Sequence, residues 1–334
     1  MKKLLPLPLI PLALLLIHCS GGDTFPRLSG PYLGQTPPGD TPELFAPGII
    51  TTGMHNRDIA IYPDGKEIYF CTVLGQFLHT TVFVTKEVDG EWTRPEPAPH
   101  MDNPDLTAGE PFITPDGKRF LFISDRHAPD AQGGQDIWAM ERIGDTWGEP
   151  YTLGPPVNSK HNEFFPSVTR DGTIYFSRAK LGERAHYIYR SRLVKGVYQK
   201  PELLPKQVNS GQSQYNAFIA PDESYIIVPT AGRDDSYGSC DYYISFRNSD
   251  DTWTEAVNMG AAINTPHWME YSPCVSPDGR YFFFMSTKSR HGELTEQGNV
   301  TWSRLQQFWN SPENGLPDIY WVDASFIASL HPAH

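Results

Sequence analysis

The chain has 334 residues, 39% of them hydrophobic and 13% aromatic, which is enough to bury a large core in one closed all-β fold. Its 31 prolines and 28 glycines predict many turns between short strands rather than long helices. The formal net charge is −12 at pH 7. Binding a phosphate backbone requires a cationic surface, so we expect no nucleic-acid partner.

Residues 1–18 are typical of an export signal and are set apart from the fold. Lys2 and Lys3 form a short positive region, and residues 4–17 form an apolar run that is too short to cross a bilayer as a helix. Three prolines within the run would also break such a helix. The segment therefore predicts an exported protein.

The residues at positions 16–20 read LIHCS and resemble the lipobox of bacterial lipoproteins. The resemblance implies that Cys19 becomes the acylated first residue, and that residues 19–41 are a lipid anchor and a tether rich in Gly, Pro, Ser and Thr. Ser20, rather than Asp, resembles sorting to the outer membrane. His18 departs from the small residue usual before the cysteine, so an ordinary secretory signal is the alternative.

One phrase recurs five times in residues 42–330. It is built around a turn of the Pro-Asp-Gly type, whose first positions are Pro63, Pro115, Arg170, Pro221 and Pro277. Successive turns are separated by 52, 55, 51 and 56 residues. A period near 50 with strand-like content predicts a β-propeller rather than a helical solenoid.

Each repeat predicts one four-stranded blade. The turn joins two segments in which Ile, Val, Tyr and Phe alternate with other residues, and two further strand-like segments follow. Proline presets φ for such a turn, and Asp and Gly favour it. The sequence therefore predicts an all-β, five-bladed β-propeller, with six blades and one unrecognised unit as the alternative.

A strand from the N-terminal end is predicted to close the ring. The fifth unit stops after its third strand at Val322, and residues 42–50 resemble the fourth strands of the other units. A strand there would complete the last blade and leave no exposed sheet edge. This assigns residues 42–330 to the propeller and residues 331–334 to a C-terminal tail.

The repeats resemble the WD-like propeller repeats of the TolB type, which are found in many bacterial envelope proteins. The most specific parts are HNEFFP at residues 161–166 and DIYWVDA at residues 318–324. Two departures are Glu223, which replaces the turn glycine of the fourth copy, and the long loop at residues 287–317. The resemblance implies a propeller at the cell envelope and says little about activity, because such proteins are often lipoproteins of unassigned function.

Candidate site residues gather at one face of the predicted ring. Strands alternate in direction, so the segment leading into strand one and the loop leaving strand two lie on the same face. By analogy with other propellers, this face surrounds a channel mouth that binds ligands. The candidate ligand-binding residues there are His55, Arg57, His161, Glu163, Asn216, His267, Trp268 and Glu270.

Two interpretations apply to these residues. Glu163 and Glu270 occupy the same place in their repeats, which indicates internal fastening by pairing with arginines of neighbouring loops. The arginines at similar places are Arg126, Arg178 and Arg233. His55, His161 and His267 are not repeated, and they favour a ligand site.

The long loop at residues 287–317 carries Trp302, Leu305 and Trp309 at spacings of three and four. This spacing predicts one or two helical turns with an apolar stripe. Either the stripe packs on the blade, or the tryptophans form a lid or an aromatic platform for sugar rings or partner proteins.

Two functions follow from these features. The first is a binding or scaffolding module at the envelope that recognises a glycan or a partner protein. The alternative is a carbohydrate-active enzyme. A hydrolase would take its pair of carboxylates, about 5–10 Å apart, from Glu110, Glu163 and Glu270. A lyase would use His55 or His161 as the base, beside Arg57 or Arg178.

No cofactor is predicted, because the sequence has no paired His or Cys motif with metal-ligand spacing and no phosphate-binding glycine loop. We therefore expect no metal site from motifs. The sequence does not decide whether the acidic mouth binds Ca²⁺, since sites built from oxygen ligands leave little trace in a sequence.

Overall fold

The structure is a computed structural model that describes residues 25–126, 134–267, 269–296 and 298–332. Five antiparallel sheets form a five-bladed β-propeller, so the predicted fold class is confirmed and the six-bladed alternative is not adopted. The predicted signal, Cys19 and Trp268 lie outside the described residues. Within those described ranges, no helix combines the length and the apolar content needed to span a membrane.

The first three blades follow one another along the chain. Strand β1 (Glu43–Leu44) precedes blade 1, which consists of β2 (His55–Ile61), β3 (Glu67–Leu74), β4 (His79–Val88), β5 (Glu91–Trp92) and β6 (Glu96–Pro97). Blade 2 consists of β7 (Ala108–Ile113), β8 (Arg119–Ser124), β9 (Asp136–Ile143), β10 (Thr146–Trp147) and β11 (Tyr151–Thr152). Blade 3 consists of β12 (Asn162–Val168), β13 (Ile174–Ala179), β14 (His186–Ser191), β15 (Leu193–Val194), β16 (Val197–Tyr198) and β17 (Glu202–Leu203).

The last two blades complete the ring. Blade 4 consists of β18 (Ser213–Gln214), β19 (Phe218–Ile219), β20 (Tyr225–Ala231), β21 (Cys240–Phe246) and β22 (Val257–Asn258). Blade 5 contains β23 (Glu270–Val275), β24 (Tyr281–Ser286) and β25 (Asp318–Asp323). The helical segments are a 3-10 turn (Pro31–Gly34), α1 (His291–Glu296), α2 (Trp302–Trp309) and α3 (Phe326–Ser329).

The predicted ring closure is present. Strand β1 pairs antiparallel with β25, with Glu43 opposite Trp321 and Leu44 opposite Tyr320. Phe45 follows β1 and is fully buried, with its ring 5.1 Å from Trp321. The fourth strand of blade 5 therefore comes from the other end of the described chain, which removes an exposed edge.

The segment before β1 packs on the propeller. Leu33 is buried, and Trp92 Nε1 of blade 1 donates to the Gly30 carbonyl at 2.8 Å. The Tyr32 ring lies 5.3 Å from Trp321 of blade 5. From residue 25 onward, the segment predicted as a tether thus lies along the junction of blades 5 and 1.

Ion pairs link neighbouring blades outside the channel. Between blades 1 and 2, Arg142 Nη2 lies 2.5 Å from Glu67 Oε1, and Trp147 Nε1 donates to the Tyr69 hydroxyl at 2.8 Å. The Tyr69 hydroxyl in turn donates to Glu67. This network binds the second blade to the first one.

An equivalent link explains why Glu223 replaces a turn glycine. Glu223 adopts a φ of 58°, which favours glycine, yet its carboxylate accepts a hydrogen bond from Tyr175 of blade 3 at 2.9 Å. The same carboxylate lies 3.4 Å from Arg247 Nη1. The strained turn residue therefore contributes a contact between blades 3 and 4 that glycine could not make.

Candidate functional site

The innermost strand of every blade is interrupted at the same position of the repeat. The interrupting residues are Asp58, Glu110, Phe165, Asn216 and Ser272, each five positions before the first residue of its turn. Their φ angles lie between 38° and 61°, and the ladders of blades 1, 2, 3 and 5 shift register there. Such strained residues cost roughly 1–3 kcal/mol each and cluster at functional sites. We call these five residues the axial ring.

Arg57 joins three blades at the propeller axis. Its Nε donates to Asp58 Oδ1 at 2.9 Å, and its Nη2 reaches Glu110 Oε1 at 3.3 Å. The same Nη2 lies 3.4 Å from Ser272 Oγ, and the Ser272 hydroxyl donates to Asp58. The network ties the inner strands of blades 1, 2 and 5 together.

Glu110 extends this network to the remaining two blades. Its Oε1 also accepts from Asn216 Nδ2 at 3.2 Å, and its Oε2 accepts from the Phe165 backbone N–H at 2.6 Å. Glu110 therefore has both oxygens engaged and contacts blades 1, 3 and 4. The axial ring forms a fixed polar partition across the channel.

The partition holds one cation and two carboxyl groups. Burial raises the pKa of Glu110 to about 7, although the adjacent Arg57 guanidinium lowers it. Burial lowers the pKa of Arg57, but the charges of Asp58 and Glu110 raise it overall. Arg57 thus stays charged, and Glu110 is the group in the ring that exchanges a proton near neutral pH.

A funnel of about 1110 Å³ opens above the axial ring, on the face predicted to hold the mouth. Arg57, Asp58, Glu110 and Asn216 form its floor. Its walls carry six aromatic or imidazole rings: His55, Phe77, Phe164, His186, Tyr215 and Tyr271. We call this space the upper funnel.

The wall rings contact one another in pairs. The centroids of His55 and Phe77 are 5.5 Å apart, and those of His186 and Tyr215 are 4.9 Å apart. Tyr215 also lies 5.2 Å from Tyr271 of the next blade. The result is a connected aromatic wall rather than scattered rings.

The two imidazoles of the wall are neutral at physiological pH. Burial, with a contribution from Arg57, lowers the pKa of His55 to about 4, and burial lowers the pKa of His186. In the described part of the chain, His55 Nε2 and His186 Nδ1 are buried without a hydrogen-bond partner. Because neither nitrogen is exposed, neither can bond to a ligand in the funnel unless its ring moves.

Four of the candidate residues named from the sequence line the upper funnel. His55, Arg57 and Asn216 line it, as does the candidate acid Glu110. Their positions in the repeat, just before the inner strand or within it, are what bring them to the axis.

Glu163 and Glu270 lie elsewhere, in contacts within their own blades. Glu163 accepts from Arg178 Nε at 2.5 Å and from the Ser159 hydroxyl at 2.6 Å. Arg178 is the cross-strand neighbour of Glu163, so the pair predicted between neighbouring loops lies inside blade 3. Both glutamates are fully buried and neither lines the upper funnel.

Glu270 has no arginine in the place of Arg178. It accepts from the Thr265 hydroxyl at 2.5 Å and lies 3.3 Å from the Ser286 hydroxyl, while its Oε2 has no partner among the described residues. Burial raises its pKa to about 7, and the nearby Asp241 adds to the effect. Of the three carboxylates named for the hydrolase hypothesis, Glu110 lines the upper funnel and Glu163 and Glu270 do not.

His161 and His267 do not reach the funnel wall. His161 Nδ1 accepts from the Leu181 N–H at 3.2 Å, and the His267 N–H donates to Thr265 Oγ1 at 3.3 Å. Both residues therefore belong to the loops around the mouth.

The predicted helical turns of the long loop are present as α2. Trp302 and Trp309 are 75% and 63% exposed, and α2 has no buried residue, so the apolar stripe faces solvent instead of packing on the blade. The end of the helix rests on blade 1, where Asn314 Nδ2 donates to the Gly53 carbonyl at 3.0 Å. Neither tryptophan lines the upper funnel.

Five residues of the funnel wall were missed at the sequence level, namely Phe77, Phe164, His186, Tyr215 and Tyr271, as was Ser272 of the axial ring. Ser272 could have been found, because it lies at the same offset from its turn as Asp58 and Glu110. Phe164, Tyr215 and Tyr271 could have been found in the same way, because each lies six positions before the first residue of its turn, the place that Arg57 holds in blade 1. Phe77 and His186 carry no such signal. Among the residues that the structure describes, no group of three or more His, Cys, Asp or Glu side chains could hold a metal ion.

No family model and no curated protein matches this sequence. Among solved structures, TolB from Acinetobacter baumannii is similar over 81% of this chain, with 16% identity and a TM-score of 0.46. The chain spans 57% of the length of that TolB.

Two carbohydrate-active proteins are similar to a comparable degree. A GH43 endo-arabinanase from Bacillus licheniformis covers 80% of this chain and is matched over 93% of its own, with 13% identity and a TM-score of 0.43. The NanB sialidase of Streptococcus pneumoniae covers 73% of this chain and is matched over 36% of its own, with 13% identity and a TM-score of 0.41. Such distant likenesses assign no activity, and the fold rests on the sheets described above.

Proposed function

We propose that this protein is a binding module that recognises a glycan in the upper funnel. The observation that carries the proposal is the combination of a wall of aromatic rings with a floor of fixed hydrogen-bonding groups in a concavity of about 1110 Å³. Ligand sites typically pair apolar walls with a few convergent polar groups. The apolar faces of a sugar ring pack on aromatic side chains, while its hydroxyls need donors and acceptors.

The wall offers both kinds of contact. Tyr215 and Tyr271 are partly exposed, so each can offer an aromatic face and a hydroxyl group to a ligand. The floor is held rigidly, since Glu110 accepts hydrogen bonds at both of its oxygens. A ligand would therefore meet a preorganised surface, which reduces the entropy cost of binding.

The charges of the funnel favour a neutral or amino sugar over an acidic one. Among the described residues, its lining holds three acidic residues, Asp58, Glu110 and Asp125, against the single cation Arg57. Arg57 is already paired with two of those acids. An anionic sugar would meet no unpaired cation on this part of the lining.

The test is a binding titration of the purified protein with neutral, amino and acidic oligosaccharides. Binding to the folded state alone raises stability by about 2.7 kcal/mol at a hundredfold excess of ligand over Kd, which a melting experiment detects. Tyr215→Ala and Tyr271→Ala should remove that shift. Trp309→Ala is the matched control, because this exposed aromatic residue lies off the funnel lining.

A flat response to every sugar class would refute the proposal and turn attention to a protein partner. Loss of binding in Trp309→Ala but not in the tyrosine variants would move the site away from the funnel.

A glycoside hydrolase is the second candidate, and one observation favours it. Asp58 and Glu110 are both held by Arg57 at the axis, and the raised pKa of Glu110, about 7, suits a proton donor. Product analysis with the bound sugar distinguishes the two functions. An enzyme would release shorter products, and Glu110→Gln would bind without releasing them.

We also propose that the protein is attached to the envelope through Cys19, most simply at the outer membrane. The support is the lipobox-like sequence at residues 16–20. Incorporation of labelled palmitate into the wild type but not into Cys19→Ser is the expected result, and equal labelling of the two would contradict it.

A further inference from the structure

The channel continues below the axial ring as a second, smaller space. This lower chamber has a volume of about 160 Å³. Its wall is apolar and includes Ile59, Ile61, Phe112, Phe165, Phe218 and Val275. Phe165 is the one apolar member of the axial ring, and it lines the lower chamber but not the upper funnel.

The size and the lining of the chamber select a class of ligand. A cavity of about 150 Å³ lined by Leu, Ile and Phe in another protein binds benzene. The lower chamber matches that cavity in volume and in chemistry. One six-membered apolar ring is therefore the largest group it accepts without rearrangement.

One residue at the rim of the chamber differs from its equivalents in the other four blades. The first turn positions of all five blades line it, and four of them are Pro63, Pro115, Pro221 and Pro277. The fifth is Arg170 of blade 3, which is exposed. Within the described residues, the Arg170 side chain has no hydrogen-bond or ion-pair partner, while its backbone N–H donates to the Pro221 carbonyl at 2.8 Å.

We propose that the lower chamber is a second binding site, for a small aromatic or cyclic apolar acid whose ring fills the chamber and whose carboxylate pairs with Arg170. The guanidinium presents paired N–H donors that match a carboxylate. The ring of the ligand would replace water against Ile59, Phe218 and Val275. This site is separate from the upper funnel, because the axial ring lies between them.

The acidic residues of the turns leave the positive charge of Arg170 available to a ligand. Asp222, whose charge acts on Arg170, has its Oδ1 engaged by the backbone N–H and the hydroxyl of Ser224 at 3.1 and 2.6 Å. Asp171 is likewise engaged by Thr169 and Thr173. These carboxylates are fixed to their own turns, whereas the Arg170 guanidinium is available.

The first experiment is a calorimetric titration of the whole protein with phenylacetate, benzene and benzylamine. We expect phenylacetate to bind more tightly than benzene, and benzylamine to bind more weakly than either. Arg170→Gln keeps the backbone N–H and should weaken phenylacetate roughly tenfold or more while leaving benzene unchanged. Lys118→Gln is the matched control, because Lys118 is an exposed cation of the equivalent region of blade 2 and does not line the chamber.

A second measurement needs no variant. Methyl resonances of Ile59 and Val275 should shift on addition of benzene or phenylacetate, and those of residues lining the upper funnel should not. Absence of binding by both probes would overturn the proposal, as would equal losses in Arg170→Gln and Lys118→Gln. A Tyr215→Ala variant that abolishes phenylacetate binding would place that ligand in the upper funnel instead and would likewise overturn it.

Discussion

The guanidinium of Arg57 in blade 1 lies 3.3 Å from the Glu110 carboxylate in blade 2, at the axis of the propeller. The same guanidinium is 2.9 Å from Asp58, and its side chain is only 8% exposed. One buried cation therefore supports two buried carboxyl groups. Removing Arg57 should therefore destabilise the protein more than removing the Glu110 charge, and this difference in unfolding free energy can be measured.

Arg57→Met should destabilise the protein by about 3–5 kcal/mol, because it leaves two buried carboxyl groups without their cation. Glu110→Gln should cost less, about 1–3 kcal/mol, because it replaces one buried acceptor by an amide NH2 but leaves Arg57 paired with Asp58. The free energies of unfolding in urea provide the comparison. Equal losses in the two variants would contradict the assignment of Arg57 as the common support.

Stability should fall as the pH rises from 6.5 to 8. Burial raises the pKa of Glu270 and of Asp318 to about 7, above the ordinary carboxyl values, so the folded state holds protons that the unfolded chain has lost. Each such group contributes stability that is lost as the pH rises through 7, by about 1 kcal/mol over this interval. His55, whose pKa is lowered to about 4, acts in the opposite sense but only below about pH 6.5.

Glu270→Gln isolates one of these contributions. The variant should show a shallower decline of the unfolding free energy between pH 6.5 and 8 than the wild type, measured in urea at each pH. Glu163→Gln should not reproduce this change in pH dependence, because Glu163 also has an arginine partner. An unchanged slope in Glu270→Gln would mean that this carboxyl is ionised in the folded protein throughout the range.

Asp251 is the centre of an ionic link between blades 3 and 4. Arg190 and Arg192 of blade 3 each lie 2.6 Å from its Oδ2, and Arg247 lies 2.9 Å from its Oδ1. Asp251→Ala should cost about 1–3 kcal/mol in urea unfolding, because three arginines lose one shared partner. The neighbouring Asp250→Ala removes only a turn contact to Thr252 and should cost less. A reversed order would show that the arginine cluster adds nothing to stability.

Phe45 tests the closure of the ring. It is fully buried, and its ring lies 5.0 Å from Phe283 and 5.1 Å from Trp321. Phe45→Ala should destabilise the protein by about 3–5 kcal/mol in urea unfolding, as for other large-to-small core changes. Leu203→Ala, at an exposed position in β17 of blade 3, should change it by less than about 1 kcal/mol. A small effect at Phe45 would mean that the β1 strand does not hold the ring.

The blades and their closure could be predicted because they follow from a repeated pattern. The turn positions set the period, and the match of residues 42–50 to other fourth strands revealed the closure. Arg57, Glu110 and Asn216 were placed at the mouth for the same reason, since position in the repeat determines position around the axis.

The remainder of the site follows only in part from position in the repeat. Glu163 and Glu110 both precede or enter an inner strand, yet Glu163 bonds to its own loop and Glu110 points into the axial network. The two residues hold different places in the repeat, because Glu163 lies seven positions before the first residue of its turn and Glu110 lies five positions before it, at the bulge where φ is 54°. Phe77 reaches the funnel from the loop between β3 and β4, and loop conformation is not encoded in a periodic pattern.

The pairing of β1 with β25 also has a consequence for synthesis. Thr51, just after β1, donates a hydrogen bond to the carbonyl of Ile319, 268 residues later in the chain. During synthesis, β1 therefore has no partner strand until nearly all of the chain up to β25 has left the ribosome. Contacts of such long sequence separation slow folding, and the apolar surface around Phe45 stays exposed in the meantime. The β1–β25 pairing that closes the finished ring is thus the point at which the nascent chain is most open to misassociation.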